Sequence, residues 1–108
     1  MKIDFNQEFK TIEGETLMRT RRVGGTITEE AATLRWAAVE ALLTTPSGAS
    51  VTADEKGRRY ELALKIQSSP EALDLSVDDL SFIKGLCDEH FAPLVMGQTR
   101  KMLEGAGV

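Results

Sequence analysis

The chain opens with apolar and polar residues in alternation. Lys2-Ile3-Asp4-Phe5 places Ile3 and Phe5 on one face of a short extended segment. Further on, Phe9-Lys10-Thr11-Ile12 and Glu15-Thr16-Leu17-Met18 flank the pair Glu13-Gly14. An acidic residue followed by glycine favours the positive backbone angles of a tight turn, so the pattern predicts a β-hairpin centred on Gly14. From Arg19 to Gly25 no apolar period survives. Charge accumulates there and the stretch ends in Gly24-Gly25, the composition of a flexible connector.

The period then lengthens to that of a helix. Leu34, Ala37, Ala38, Ala41 and Leu42 recur at helical spacing, and Trp36, Val39 and Leu43 widen the stripe until most of the circumference is apolar. Such a helix belongs at the centre of a fold. Two starts fit it: a capping box at Thr26 and Glu29, with Thr28 as another cap, or an extended lead-in with helix only from about Thr33. Thr44 to Val51, which contains Pro46, is a loop by composition. A second capping box at Thr52 and Glu55 starts a helix running to about Gln67, with Tyr60, Leu62, Ala63, Leu64 and Ile66 as its apolar positions. Ser68-Ser69-Pro70 stops it, and Ala72 to Leu75 reads as a short extended link. Ser76 and Asp79 form a third box, and Val77, Leu80, Ile83 and Cys87 mark the buried face of the helix that follows, with Phe82 and Leu86 beside it. Pro93 suits the first turn of a fourth helix that carries Leu94, Val95, Met102 and Leu103 and closes at Gly105. Together these elements predict an α+β fold in one compact domain. Residues 1–25 form a hairpin and basic connector, and 26–108 a helical part of about four α-helices.

Composition is compatible with that plan. The 108 residues are 42% hydrophobic and only 6% aromatic, so the core must rest mainly on aliphatic side chains. A chain of this length buries roughly two-thirds of its unfolded surface and needs no metal or disulfide to fold. A single cysteine fits a reducing compartment. The net charge of -4 opposes wholesale binding to nucleic acid or anionic membrane. No apolar run approaches the ~20 residues of a membrane span, and an acid stands at Asp4 where a signal peptide would turn hydrophobic. The expected location is cytoplasmic.

Three stretches carry a resemblance: Arg59 to Ile66, Leu73 to Lys84 (LDLSVDDLSFIK), and Ala92 to Gln98 (APLVMGQ). With the opening Met1 to Gln7 and the turn at Gly14, the chain resembles a family of small proteins from tailed bacteriophages and prophages. The likeness spans most of the chain and rests on ordinary helical residues. It departs from the family around Glu29 to Arg35, where a shorter lead-in to the first helix is expected. The resemblance implies a phage-derived accessory protein in the cytoplasm of a bacterial host. The family has no agreed activity, so no catalytic residue is carried over.

Candidate chemistry is sparse. Cys87 and His90 are three apart on a helix, but a zinc site wants four ligands and the chain has one Cys and one His. In the apolar stripe, a free thiol behaves as a small hydrophobe. Asp74, Ser76 and Asp78 alternate like calcium ligands, yet the sixth and twelfth positions are Asp79 and Gly85 where Gly and a bidentate acid are needed. The acids of that run suit the positive end of a helix. Lys10, Arg19, Arg21 and Arg22 form the one concentrated basic patch, with no interleaved aromatic to stack on bases. No Ser-His-Asp set or carboxylate pair in an apolar setting is assembled, so no catalytic, metal or cofactor residues are assigned and an enzyme is not expected.

The expected function is recognition of a protein partner, of phage or host, with a symmetric homodimer as the simplest case. Trp36, Val39, Leu43, Val95 and Met102 are the candidate partner-binding residues, serving either as that interface or as monomer core. The alternative is a nucleic-acid-binding accessory protein using Lys10, Arg19, Arg21 and Arg22.

Overall fold

The computed structural model describes residues 2–45 and 50–105. The elements in order are β1 (Lys2–Ile3), β2 (Met18–Val23), β3 (Thr26–Ala31), α1 (Leu34–Leu43), α2 (Ala53–Ser68), β4 (Leu73–Asp74), α3 (Val77–His90) and α4 (Pro93–Glu104). The α+β class and the four helices hold. No helix among the described residues is long and apolar enough to cross a membrane.

The largest departure from the sequence reading lies between Arg19 and Ala31. Arg19 to Val23 is not a connector but strand, and Thr26 to Ala31 is its antiparallel partner, not the start of a helix. The turn is Gly24-Gly25, with φ of +55° and +84°. A two-residue hairpin turn needs positive φ at both positions, and glycine supplies it without a steric penalty. The Thr26–Glu29 pair thus faces across a strand ladder, with Glu29 opposite Thr20. Around Gly14 (φ +93°) the chain does reverse, but with a single bridge, Lys10 to Thr16.

Of the two starts open for α1, the later one is adopted. Thr33 caps it, accepting from Trp36 N at 3.3 Å. The unpaired amides of the first turn are satisfied by the N-terminal segment: Leu34 N donates to Gln7 O (2.9 Å) and Arg35 N to Phe5 O (2.8 Å). Thr52 and Ser76 cap α2 and α3, each hydroxyl accepting from the amide three residues on at 3.1 Å, while the acids expected to complete the boxes, Glu55 and Asp79, engage Arg59 and Arg58. Thr44, Thr45, Ser50 and Val51 are neither helix nor strand, while Pro46 and the rest of that expected loop lie outside the described residues.

Leu34, Ala37, Ala38, Ala41 and Leu42 are all buried, as their spacing requires of a central helix. They meet Leu62, Ala63 and Ile66 from α2, Leu80, Ile83 and Cys87 from α3, and Leu103 from α4. Ile3 and Phe5 enter the same core, on the face that their alternation predicts, and β1 pairs with β4 through Lys2–Asp74 and Ile3–Leu73. Val77, read as part of the buried face of α3, is exposed, because a residue at the first helical position precedes the arc that Leu80, Ile83 and Cys87 turn inward.

Two arginines lock the α1–α2 pair reciprocally. Arg35, in the first turn of α1, donates through Nη1 to Ile66 O near the end of α2 and through Nη2 to Asn6 Oδ1 (2.8 Å). Arg59, buried on α2, donates through Nη1 to Thr44 O at the end of α1 (3.2 Å) and through Nη2 to Glu55 (3.1 Å). Each cation sits at a helix C-terminus, where the carbonyls are partially negative.

Candidate functional site

An apolar groove runs between α1 and α2. Val39, Leu43, Tyr60, Ala63, Leu64 and Gln67 line it and enclose about 150 Å³. Three of its large side chains stay exposed: Leu43 at 58%, Tyr60 at 55% and Leu64 at 48%. Sequence periodicity counted Tyr60 and Leu64 among the apolar positions of α2. The inward arc of α2 is taken by Arg59, Leu62, Ala63 and Ile66, which leaves the i, i+4 pair Tyr60–Leu64 on the flank.

The groove continues past Val39 and Leu43 into a wider depression walled by Arg19, Arg21, Trp36 and Glu40. Trp36 is held at the base by Phe9, edge-on at 6.4 Å, and by Phe91 at 5.5 Å. The Arg19 guanidinium lies 5.6 Å from the Trp36 ring centroid, within cation–π range. Arg19 Nη2 and Arg21 Nη1 each reach Glu30 at 3.2 Å, one oxygen apiece. One carboxylate therefore serves two guanidiniums, and with Glu40 on the same wall two acids stand against the two cations.

The candidate basic patch is thus divided. Arg19 and Arg21 share one face of the ribbon, Arg22 points to the other by strand alternation, and Lys10 stands at the Gly14 loop, 4.0 Å from Glu8 and 3.3 Å from Thr16 Oγ1. The candidate partner residues divide too. Trp36, Val39 and Leu43 border the groove, whereas Val95 and Met102 lie half-buried on α4, which packs against α3 and α1.

Two features escaped the sequence reading entirely. Gln98 on α4 grips the backbone of Lys10 from both sides, Oε1 accepting from Lys10 N and Nε2 donating to Lys10 O, both at 2.8 Å. Arg58 lies 4.1 Å from the Phe82 ring centroid and pairs with Asp79 at 3.1 Å, joining α2 to the first turn of α3. Neither has a local signal, since each joins residues far apart in the chain.

Cys87 is fully buried, whereas His90 is exposed and stacks edge-on against Phe91 at 4.7 Å. Burial, with a smaller contribution from Asp88, pushes the Cys87 thiol up to about 12 from its ordinary 9.0. The neutral thiol is neither a nucleophile nor a ready metal ligand. A disulfide reagent at pH 8 should therefore label the native protein at least about a thousandfold more slowly than the denatured chain, reflecting the rarity of opening. Equal rates would show the thiol to be accessible. Since the folded state holds this proton above the unfolded pKa, the thiol's contribution to stability is complete below pH 9.0 and is lost as pH rises towards 12. Among the described residues no group of three or more His, Cys, Asp or Glu is placed to hold a metal ion. No family model, curated protein or solved structure matches the chain.

Proposed function

We propose that this chain is a small, non-catalytic accessory protein of phage origin that works by protein–protein recognition, using the α1–α2 groove. The observation that carries the reading is the exposure of Leu43, Tyr60 and Leu64 around one apolar furrow that opens into a charged depression. Apolar surface of this kind, rimmed by polar groups, is typical of interaction sites. Tyr60 offers a large ring and a hydroxyl, the combination favoured at interfaces.

The fitting partner is an amphipathic helix, with apolar residues seated between α1 and α2 and its polar face outward. The buried, protonated Cys87 lies away from this groove and supports a binding role over a chemical one. Nucleic-acid binding is the weaker reading, because Glu30 already engages Arg19 and Arg21 and Arg22 faces away from them.

The test is affinity capture from lysogenic cells with the wild-type chain and with Leu43→Glu/Leu64→Glu. Both positions are exposed, so the variant should fold, which circular dichroism checks. A partner held by wild type and lost at least about tenfold by the variant supports the groove, a loss of ~1.4 kcal/mol or more. Equal capture by both overturns it.

A further inference from the structure

The ribbon of β2 and β3 projects from a firm base. At that base Phe9 N donates to Ala32 O (2.9 Å), Ala32 N to Leu17 O (2.8 Å) and Leu17 N to Phe9 O (2.9 Å). Beyond it every residue from Thr20 to Glu29 is exposed, including Ile27 at 61%. Among the described residues no further strand pairs with either ribbon edge. A two-stranded ribbon in water is marginal by itself, and an open edge presents a row of N–H and C=O groups to another chain. Neither strand contains proline, and the six pairs run from Met18–Ala31 to Val23–Thr26 without a bulge, so charge is what restricts pairing at these edges.

The two edges are of opposite charge. β2 carries Arg19, Arg21 and Arg22 and no acid, while β3 carries Glu29 and Glu30 and no base. Glu30 is engaged by Arg19 and Arg21, whereas Arg22 and Glu29 have no ion pair among the described residues. The register places these two on the same face, Arg22 opposite Ile27 and Glu29 opposite Thr20.

We propose that the ribbon is a self-assembly arm, the β2 edge of one copy pairing with the β3 edge of a second copy, so that Arg22 of one meets Glu29 of the next. Charge decides the symmetry. A two-fold contact of β2 with β2 would set three arginines against three, and β3 with β3 would set Glu29 and Glu30 against themselves. Like charges across a ladder are destabilising and opposite ones stabilising. The favoured contact is head to tail, and such a contact closes into a ring or extends as a filament. Arg22 and Glu29 lie on the face of the ribbon opposite Arg19 and Arg21, which border the groove, so the arm stands without the groove.

The experiment combines cross-linking and sedimentation on the full chain. Arg22→Cys and Glu29→Cys each add one exposed thiol, while native Cys87 is buried. Under mild oxidation an equimolar mixture should give at least several-fold more disulfide dimer than either variant alone. Wild type should sediment above 11.8 kDa with a mass that rises with concentration. Glu29→Lys should return it to monomer, Arg22→Glu/Glu29→Lys should restore assembly, and Leu43→Glu/Leu64→Glu should assemble as wild type does. Wild type at 11.8 kDa throughout overturns the arm. So does Glu29→Lys assembling unchanged, or Arg22→Cys cross-linking to itself as well as the mixture does.

Discussion

Phe9→Ala should destabilise the protein by about 3–5 kcal/mol, the range for emptying a buried aromatic site. Phe9 has no exposed surface, and its ring meets Trp36 edge-on, an arrangement that contributes beyond area burial. The backbone around it is held on both sides, Phe9 N by Ala32 O and Phe9 O by Leu17 N, so the site has little freedom to collapse onto the void. Against a total stability of roughly 5–15 kcal/mol for a domain, this is a large fraction. The measurement is the urea midpoint at unchanged slope, with Tyr60→Ala as comparison. Tyr60 is more than half exposed, and its truncation should cost within about 1 kcal/mol. Equal losses at the two positions would contradict the placement of Phe9 in the core and Tyr60 at the groove.

Arg35→Met should cost about 2–4 kcal/mol, although the substitution keeps most of the aliphatic stem. It removes the cation bridging three segments: the N-terminal segment at Asn6, the start of α1 and the end of α2 at Ile66 O. Each charge-assisted hydrogen bond is worth roughly 1.5–3 kcal/mol, and Ile66 O keeps only its bond from Ser69 N (3.3 Å). Asn6 Nδ2 also donates to Pro70 O (3.1 Å), so releasing Asn6 loosens the chain that follows α2. Because Arg35 acts as a positive charge at a helix C-terminus, Arg35→Lys should recover part of the loss but not the forked geometry. Thermal melts of the three proteins would show this order, and a full recovery by lysine would reduce the role to charge alone.

The outward face of α1 was legible where local pattern determined it. Val39 and Leu43 stand at the margin of a stripe whose centre is Leu34, Ala38 and Leu42, and the margin is what borders the groove. Which apolar positions of α2 face inward was not legible, since Tyr60, Leu62, Ala63, Leu64 and Ile66 cover a wide arc. The direction in which α2 lies on α1 turned Leu62, Ala63 and Ile66 inward. Likewise Arg19 and Arg21 read as free cations in a connector, because Glu30 meets them only after the glycine turn folds β3 back beside β2.

What the sequence by itself determined is what depends on near neighbours: the four helices, the hydroxyl caps of α2 and α3, the reversal at Gly14, and the apolar stripe that must be buried. These follow from steric and hydrogen-bonding rules acting within a few residues. The tertiary structure decided the rest. Asn6 reaches Pro70 across 64 positions and Lys10 reaches Gln98 across 88. A strand likewise has no identity until an edge satisfies its backbone, so Thr26 to Ala31 became β3 and not helix once Gly24-Gly25 delivered it to β2. Burial is a property of the neighbour as much as of the residue, and Leu43, Tyr60 and Leu64 are exposed because no element among the described residues lies over the furrow they border.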